Sequence, residues 1–176
     1  MLEKKAVAAL SPLDQQFLQR AQELAILSGQ KGFHPFGTVL AFKERIVWES
    51  EEVCIPYSDP TAHPELTVIS QYCRAHQLIS LEGYTLYTNV EPCVMCSGAI
   101  HWARITKVVF GFSQAQLQSL SGGKPKPSCH PLINQGKQRV EIIGPVFPDA
   151  ALEEMRAFPF TSKKDQHRAY YKNQDS

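Results

Sequence analysis

The sequence predicts an α/β fold, a three-layer α/β/α sandwich around a five-stranded mixed sheet, with residues 1–176 forming one domain. Three observations lead there. Five short apolar or β-branched runs, at 36–42, 45–49, 84–89, 107–110 and 139–143, are interleaved with stretches of helical periodicity. The first two runs are separated only by Lys43-Glu44, which predicts an antiparallel hairpin. The later runs alternate with helices, so a largely parallel sheet flanked by helices is expected. With 43% hydrophobic and 20% charged residues, the chain has the composition of a globular domain that buries a core without disulfides.

Each element has a local reason. Ser11-Pro12-Leu13-Asp14 opens a helix, with Ser11 as cap and Pro12 in the first turn. Phe17, Leu18, Ala21, Leu24, Ala25 and Leu27 continue it at helical spacing, and Gly29 stops it. After a polar, irregular stretch from Glu49 to Ser58, Pro64 begins a helix running to His76, with Leu66, Ile69, Tyr72 and Cys73 on its inner face. Pro92 reads as a second helix start, for a helix over Cys93–Trp102. Residues 121–136 are a Pro/Gly-rich loop of a length usual for lids or binding loops. A helical tail starts at about 148, with a helix over 148–158. From Thr161 onward the tail carries Lys163, Lys164, Arg168 and Lys172 against Asp165. That last segment reads either as a frayed end or, through Tyr170 and Tyr171, as an aromatic cover.

Composition excludes several classes. A net charge of +1 gives no overall electrostatic footprint for nucleic acid. No apolar run approaches the length that spans a membrane, and the short Ala/Val/Leu patch after Lys4 and Lys5 is too weak for a signal peptide. The five cysteines, an odd number, point to a reducing, cytoplasmic setting.

The chemistry is concentrated in two short motifs, His63-Pro64-Glu65 and Pro92-Cys93-Val94-Met95-Cys96. A catalytic zinc ion takes three protein ligands and leaves a fourth position for water. His63, Cys93 and Cys96 supply those three, and Glu65 is left beside the metal as a proton shuttle. Pro64 pushes His63 toward extended backbone, so His63 and Glu65 can converge although only two residues apart. Cys93 and Cys96 share one face of the first helical turn, where the helix dipole favours thiolates. A structural zinc would need a fourth protein ligand that no second Cys-x-x-Cys or His-x₃-His supplies. A redox Cys-x-x-Cys would leave the His-x-Glu unexplained. Cys129-His130 either extends the metal set or is incidental, and Cys54 and Cys73 read as small buried hydrophobes.

With these motifs the sequence resembles the cytidine deaminase superfamily, in its branch of guanine, cytosine and tRNA-adenosine deaminases. The resemblance runs from about His34 to Gly111. It includes Pro35-Phe36-Gly37, Asp59-Pro60-Thr61-Ala62-His63 and Thr85-Leu86-Tyr87-Thr88. Gly98-Ala99-Ile100-His101-Trp102-Ala103-Arg104 is most like guanine deaminases. It implies zinc-dependent hydrolytic deamination of an amino-substituted base or nucleoside, guanine or a related purine first, with release of ammonia. It also implies a homodimer, and it places His34 and Phe36 beside the substrate. Val94-Met95 and Val108-Val109-Phe110-Gly111 resemble tRNA-adenosine deaminases as well, so that activity and cytosine deamination stand as alternatives. A tRNA partner is disfavoured by the near-neutral charge. A non-catalytic zinc scaffold is a further alternative, against which Glu65 argues, since a scaffold has no use for that carboxylate. One departure stands out. Eleven positions before His63 these deaminases present an asparagine that binds the base, and here the residue is Glu52. A carboxylate only accepts hydrogen bonds, so Glu52 in the pocket favours a ring edge rich in N–H donors. The alternative is a solvated carboxylate in the polar run Glu49-Ser50-Glu51-Glu52.

Overall fold

The computed structural model describes residues 10–122, 124, 126–158 and 160–173; Lys4 and Lys5 lie outside them. Helix α1 (Pro12–Gln30) starts at a reciprocal cap, in which the Ser11 hydroxyl accepts from the Asp14 amide and the Asp14 carboxylate accepts from Ser11. It is followed by β1 (Gly37–Phe42), β2 (Arg45–Glu51), α2 (Pro64–His76), β3 (Thr85–Val90), α3 (Val94–Trp102) and β4 (Lys107–Phe112). The remainder comprises α4 (Gln114–Ser121), the short α5 (Cys129–Ile133), β5 (Glu141–Ile143), α6 (Asp149–Arg156) and α7 (Lys163–Lys172).

The five strands form one sheet in the order β2-β1-β3-β4-β5. β1 runs antiparallel to both β2 and β3, whereas β3–β4 and β4–β5 are parallel. The sheet is mixed as expected but not largely parallel. The hairpin strand β1 inserts beside β3 pointing the opposite way, so two of the four pairings are antiparallel.

Alternation along the strands divides the core into two layers, because successive side chains leave a strand on opposite faces. Leu40, Leu86 and Val108 face α2 and α3, packing with Val68, Ile69, Tyr72 and Ile100. Val39, Tyr87 and Val109 face α1 and pack with Phe17, Leu18, Ala21 and Leu24. A third cluster, with Val90, Phe112, Leu117, Leu152 and Met155, joins α4 and α6 to the carboxyl ends of β3 and β4.

Two expectations change, and one unforeseen helix appears. The stretch 121–136 is not loop throughout, since Ser121 ends α4 and Cys129–Ile133 is helical. Helix α4 itself carries a legible start, the Ser113…Gln116 capping box. The C-terminal segment is an ordered helix, α7, rather than a frayed end, because Ser162 caps it by accepting from the Asp165 amide. Among the described residues, no helix is long and apolar enough to cross a membrane.

Candidate active site

Sheet topology gathers the candidate residues at one end. β3 runs through Glu91-Pro92 into Cys93 at its carboxyl end. β1 is antiparallel to β3, with Thr38 opposite Thr88, so the His34–Gly37 segment that leads into β1 lies at that same end. β2 is antiparallel to β1, with Gly37 opposite Glu51, which brings Glu52 there too; its amide donates to Phe36 O at 3.0 Å. Buried Asn89 ties the segment down, accepting from the Gly37 amide at 3.0 Å and donating to Pro35 O at 3.0 Å. α1 lies so close that a Cβ on Gly37 would stand 2.3 Å from Ala21 O.

His63 and Cys93 occupy the N-cap positions of α2 and α3, with extended backbone at φ −63°, ψ 148° and φ −72°, ψ 175°. Neither side chain makes a capping hydrogen bond to its own helix, so both can turn toward a common point. α3 thus begins one residue later than expected, with Cys93 as its cap and Cys96 one turn on. The Cys93 and Cys96 sulfurs are 3.6 Å apart, and each lies 3.7 Å from His63 Nδ1. Tetrahedral zinc with ordinary bond lengths requires edges of about 3.8 Å between sulfurs and about 3.6 Å from nitrogen to sulfur. The donor set fits the ion. It is also the only cluster of three or more His, Cys, Asp or Glu ligand atoms of this kind among the described residues.

Charge supports that fit. The Cys93 thiol is lowered to about 3, through its hydrogen bond with Cys96 and the bond from His63, while Cys96 is driven up by the same contact and by burial. Two sulfurs that share a proton in this way are a natural seat for a cation. Burial pulls His63 down, but Cys93 and Glu65 outweigh it and the imidazole is raised. Glu65, 7% exposed, is pushed up to about 7 by burial, against the pull of His63. A bound cation draws such a carboxyl back toward its ionised form.

A cavity beside the cluster has His63, Glu65 and Cys93 on its wall, closed by Phe36, Thr88, Val90 and Leu117. Glu91, Gln114 and Lys126 also line it and escaped the sequence reading. Glu91 is structural: Oε1 accepts from Cys129 N at 2.9 Å and Oε2 from Gln114 N at 3.0 Å. This disposes of Cys129-His130 as a metal extension, since Cys129 is buried on Glu91 and His130 is exposed. His34 is placed differently from expectation. Its Nε2 donates to Thr161 O at 2.8 Å and its ring stacks on Phe160, so of the two residues expected beside the substrate only Phe36 lines this cavity. Glu52 is no solvated loop carboxylate; it is 1% exposed. Its Oε1 accepts from Cys54 N at 3.0 Å and lies 3.6 Å from Lys163 Nζ, and its Oε2 has no partner among the described residues.

A mixed α/β/α sandwich with a His/Cys/Cys centre on two helix starts and an unligated glutamate beside it defines a zinc-dependent deaminase. Comparison with known proteins agrees. The pattern described as the cytidine and deoxycytidylate deaminase zinc-binding region matches residues 11–112, and the chain belongs to that family. It is 31% identical over 156 residues to a "probable cytosine deaminase" of Schizosaccharomyces pombe, covering 85% of this chain and 94% of that one. It is 31% identical over 160 residues to a tRNA-specific adenosine deaminase of Buchnera aphidicola, covering 91% and 96%. The solved guanine deaminase of Bacillus subtilis superposes with a TM-score of 0.58 at 27% identity, over 85% of this chain and 97% of that one. The chain is therefore a zinc-dependent hydrolase of the nucleobase and nucleoside deaminase class.

Proposed function

We propose that this chain, acting as one domain over residues 1–176, deaminates a free amino-substituted base, guanine or a closely related purine, by hydrolysis. The observation that carries the choice of base is the buried Glu52 oxygen without a donor. A buried acceptor of this kind costs free energy unless a ligand supplies an N–H. Guanine offers N1–H and its 2-amino group side by side. The similarity to a guanine deaminase supports the reading.

His63, Cys93 and Cys96 hold the ion. When bound, zinc supplies the Lewis acidity that makes water a nucleophile near neutral pH. Glu65 takes the proton of the attacking water, passes it to a ring nitrogen, and then protonates the departing amine. One water is consumed, the C–NH₂ carbon becomes C=O, and ammonia leaves. Phe36, Val90 and Leu117 give the ring an apolar slot that excludes bulk water. A tRNA substrate is disfavoured by the net charge of +1, and the basic residues of α7 include Lys163, which turns inward on Glu52.

Ammonia release from guanine, guanosine, cytosine, adenosine and an amino-triazine tests the reading. Guanine should give the highest kcat/KM. A cytosine or adenosine rate more than tenfold above that for guanine refutes it.

A further inference from the structure

Of the residues that line the cavity beside His63, Glu65 and Cys93, Lys126 alone is exposed. It therefore stands at the rim, with the metal-binding and proton-carrying groups deeper in. Its place is held by the chain around it. Pro127 follows it and favours extended backbone at Lys126. Three residues on, Cys129 is fully buried and its amide donates to Glu91 Oε1 at 2.9 Å. Glu91 Oε2 accepts from Gln114 N at 3.0 Å, at the start of α4. The stretch from α4 to α5 is thus fastened at both helix starts to Glu91, two residues before Cys93. A rim residue on so short a tether loses little freedom when a ligand arrives.

The plainest role for Lys126 is that of a solvated loop lysine, but the donors of the cavity wall argue for more. Thr88 Oγ1 donates to Gly37 O at 3.4 Å, and Gln114 Nε2 donates to Glu91 O. Lys31, Lys107 and Lys163 are paired with carboxylates, whereas Lys126 has no such partner among the described residues. Its ammonium keeps three N–H groups for whatever enters. Guanine carries its only exocyclic amine on C2. With that carbon turned toward the metal ligands, the opposite end of the ring system presents O6 and N7. These are two neighbouring acceptors, and a lysine or arginine on that pair is the commonest specific contact by which proteins read guanine in DNA.

We propose that Lys126 is a substrate-binding residue that donates to the O6 and N7 acceptors at the outer end of a guanine-type base. The inference rests on guanine as the substrate and deepens that reading, because it names the group that meets the end remote from the reacting carbon. Adenine has no oxygen and cytosine has no second ring, so neither presents that pair.

The test uses the full chain loaded with zinc. Lys126→Met should raise KM for guanine at least tenfold with kcat changed less than threefold, the pattern of a charged hydrogen bond lost from uniform binding. Lys126→Arg should recover most of it. Lys124→Met, which removes an exposed lysine of the same segment that is off the cavity wall, should change neither constant. Binding to Glu65→Gln protein, which holds a base without converting it, isolates the contact. There 2-aminopurine, which lacks O6 and the N1 hydrogen, should bind at least tenfold more weakly than guanine. Lys126→Met should shrink that ratio at least fivefold, since the missing N1–H counts equally in both proteins. A wild-type KM in Lys126→Met, or an unchanged ratio, overturns the inference and leaves guanine standing as substrate. If deoxycytidylate binds at least tenfold more tightly than cytosine and Lys126→Met abolishes that gain, the ammonium serves a phosphate and the inference is overturned. If the wild-type protein releases no ammonia from guanine, the proposed function fails, and this inference with it.

Discussion

Replacing Glu65 by Gln removes the proposed proton carrier while changing the shape of the side chain hardly at all. The structure sets the expected size of the loss. Glu65 is 7% exposed and forms no salt bridge among the described residues, so the amide breaks none of them. The other carboxylate on the cavity wall, Glu91, has both oxygens committed to the Cys129 and Gln114 amides and cannot take over. General acid–base groups contribute about 10²–10⁴-fold. With no substitute in place, the loss should reach about 10³-fold in kcat, about 4 kcal/mol of barrier. Zinc content should remain near one equivalent, because the triad distances do not involve the carboxylate. Cys93→Ala and His63→Ala, by contrast, should lose zinc and turnover together. The assay is ammonia release paired with elemental analysis on the same preparations. A Glu65→Gln protein with full zinc and less than a tenfold loss would refute the shuttle role, and full zinc in Cys93→Ala would refute the ligand set.

Two further outcomes concern the scaffold that aims the site. In Gly37→Ala the new Cβ would meet Ala21 O at 2.3 Å, Leu24 Cβ at 2.7 Å and Ala25 N at 2.7 Å, so α1 must shift. The change should cost about 3 kcal/mol, lowering Tm by about 6–12 °C, and an unchanged Tm by calorimetry would contradict this packing. Asp14 accepts from Tyr87 OH at 2.6 Å and from Lys107 Nζ at 3.0 and 2.9 Å. Burial alone would raise its pKa, but the bonds from Tyr87, Lys107 and Ser11 hold it below the ordinary 3.8. A carboxylate depressed in the folded state adds stability above its ordinary pKa and loses it as pH falls through the folded value. Asp14→Asn should therefore cost about 3 kcal/mol at pH 7, and the gap to wild type should close below about pH 4. A gap that persists undiminished at low pH would show that the network is not held by the charge.

How much of this was legible depended on how local each signal is. The cluster of His63, Cys93 and Cys96 was legible because short-range geometry brings these donors together. A proline after His63 and a two-residue gap between Cys93 and Cys96 set the backbone before any tertiary contact forms. The five strands were legible from alternation, and the hairpin from Lys43-Glu44, both of which turn at positive φ. What periodicity could not reveal was the place of β1 between β2 and β3, because strand order is settled by long-range pairing and not by pattern. That placement decides the parallel count and also which segments reach the site. His34 illustrates the consequence. Its neighbourhood was foreseen, but its partner Thr161 lies 127 positions away, and no local rule couples the two. Lys163 is the extreme case. In sequence it belongs to a run of basic residues that reads as a solvated helix face, and Glu52 belongs to an acidic run that reads as loop. Each looks ordinary alone, and their meaning emerges only where α7 folds back over the end of β2. There a carboxylate 1% exposed has to find its cation, and does so at 3.6 Å from the far end of the chain. The residues that build the metal site are thus written in contiguous motifs. Those proposed to choose the substrate, Glu52 and Lys126, are written in the fold.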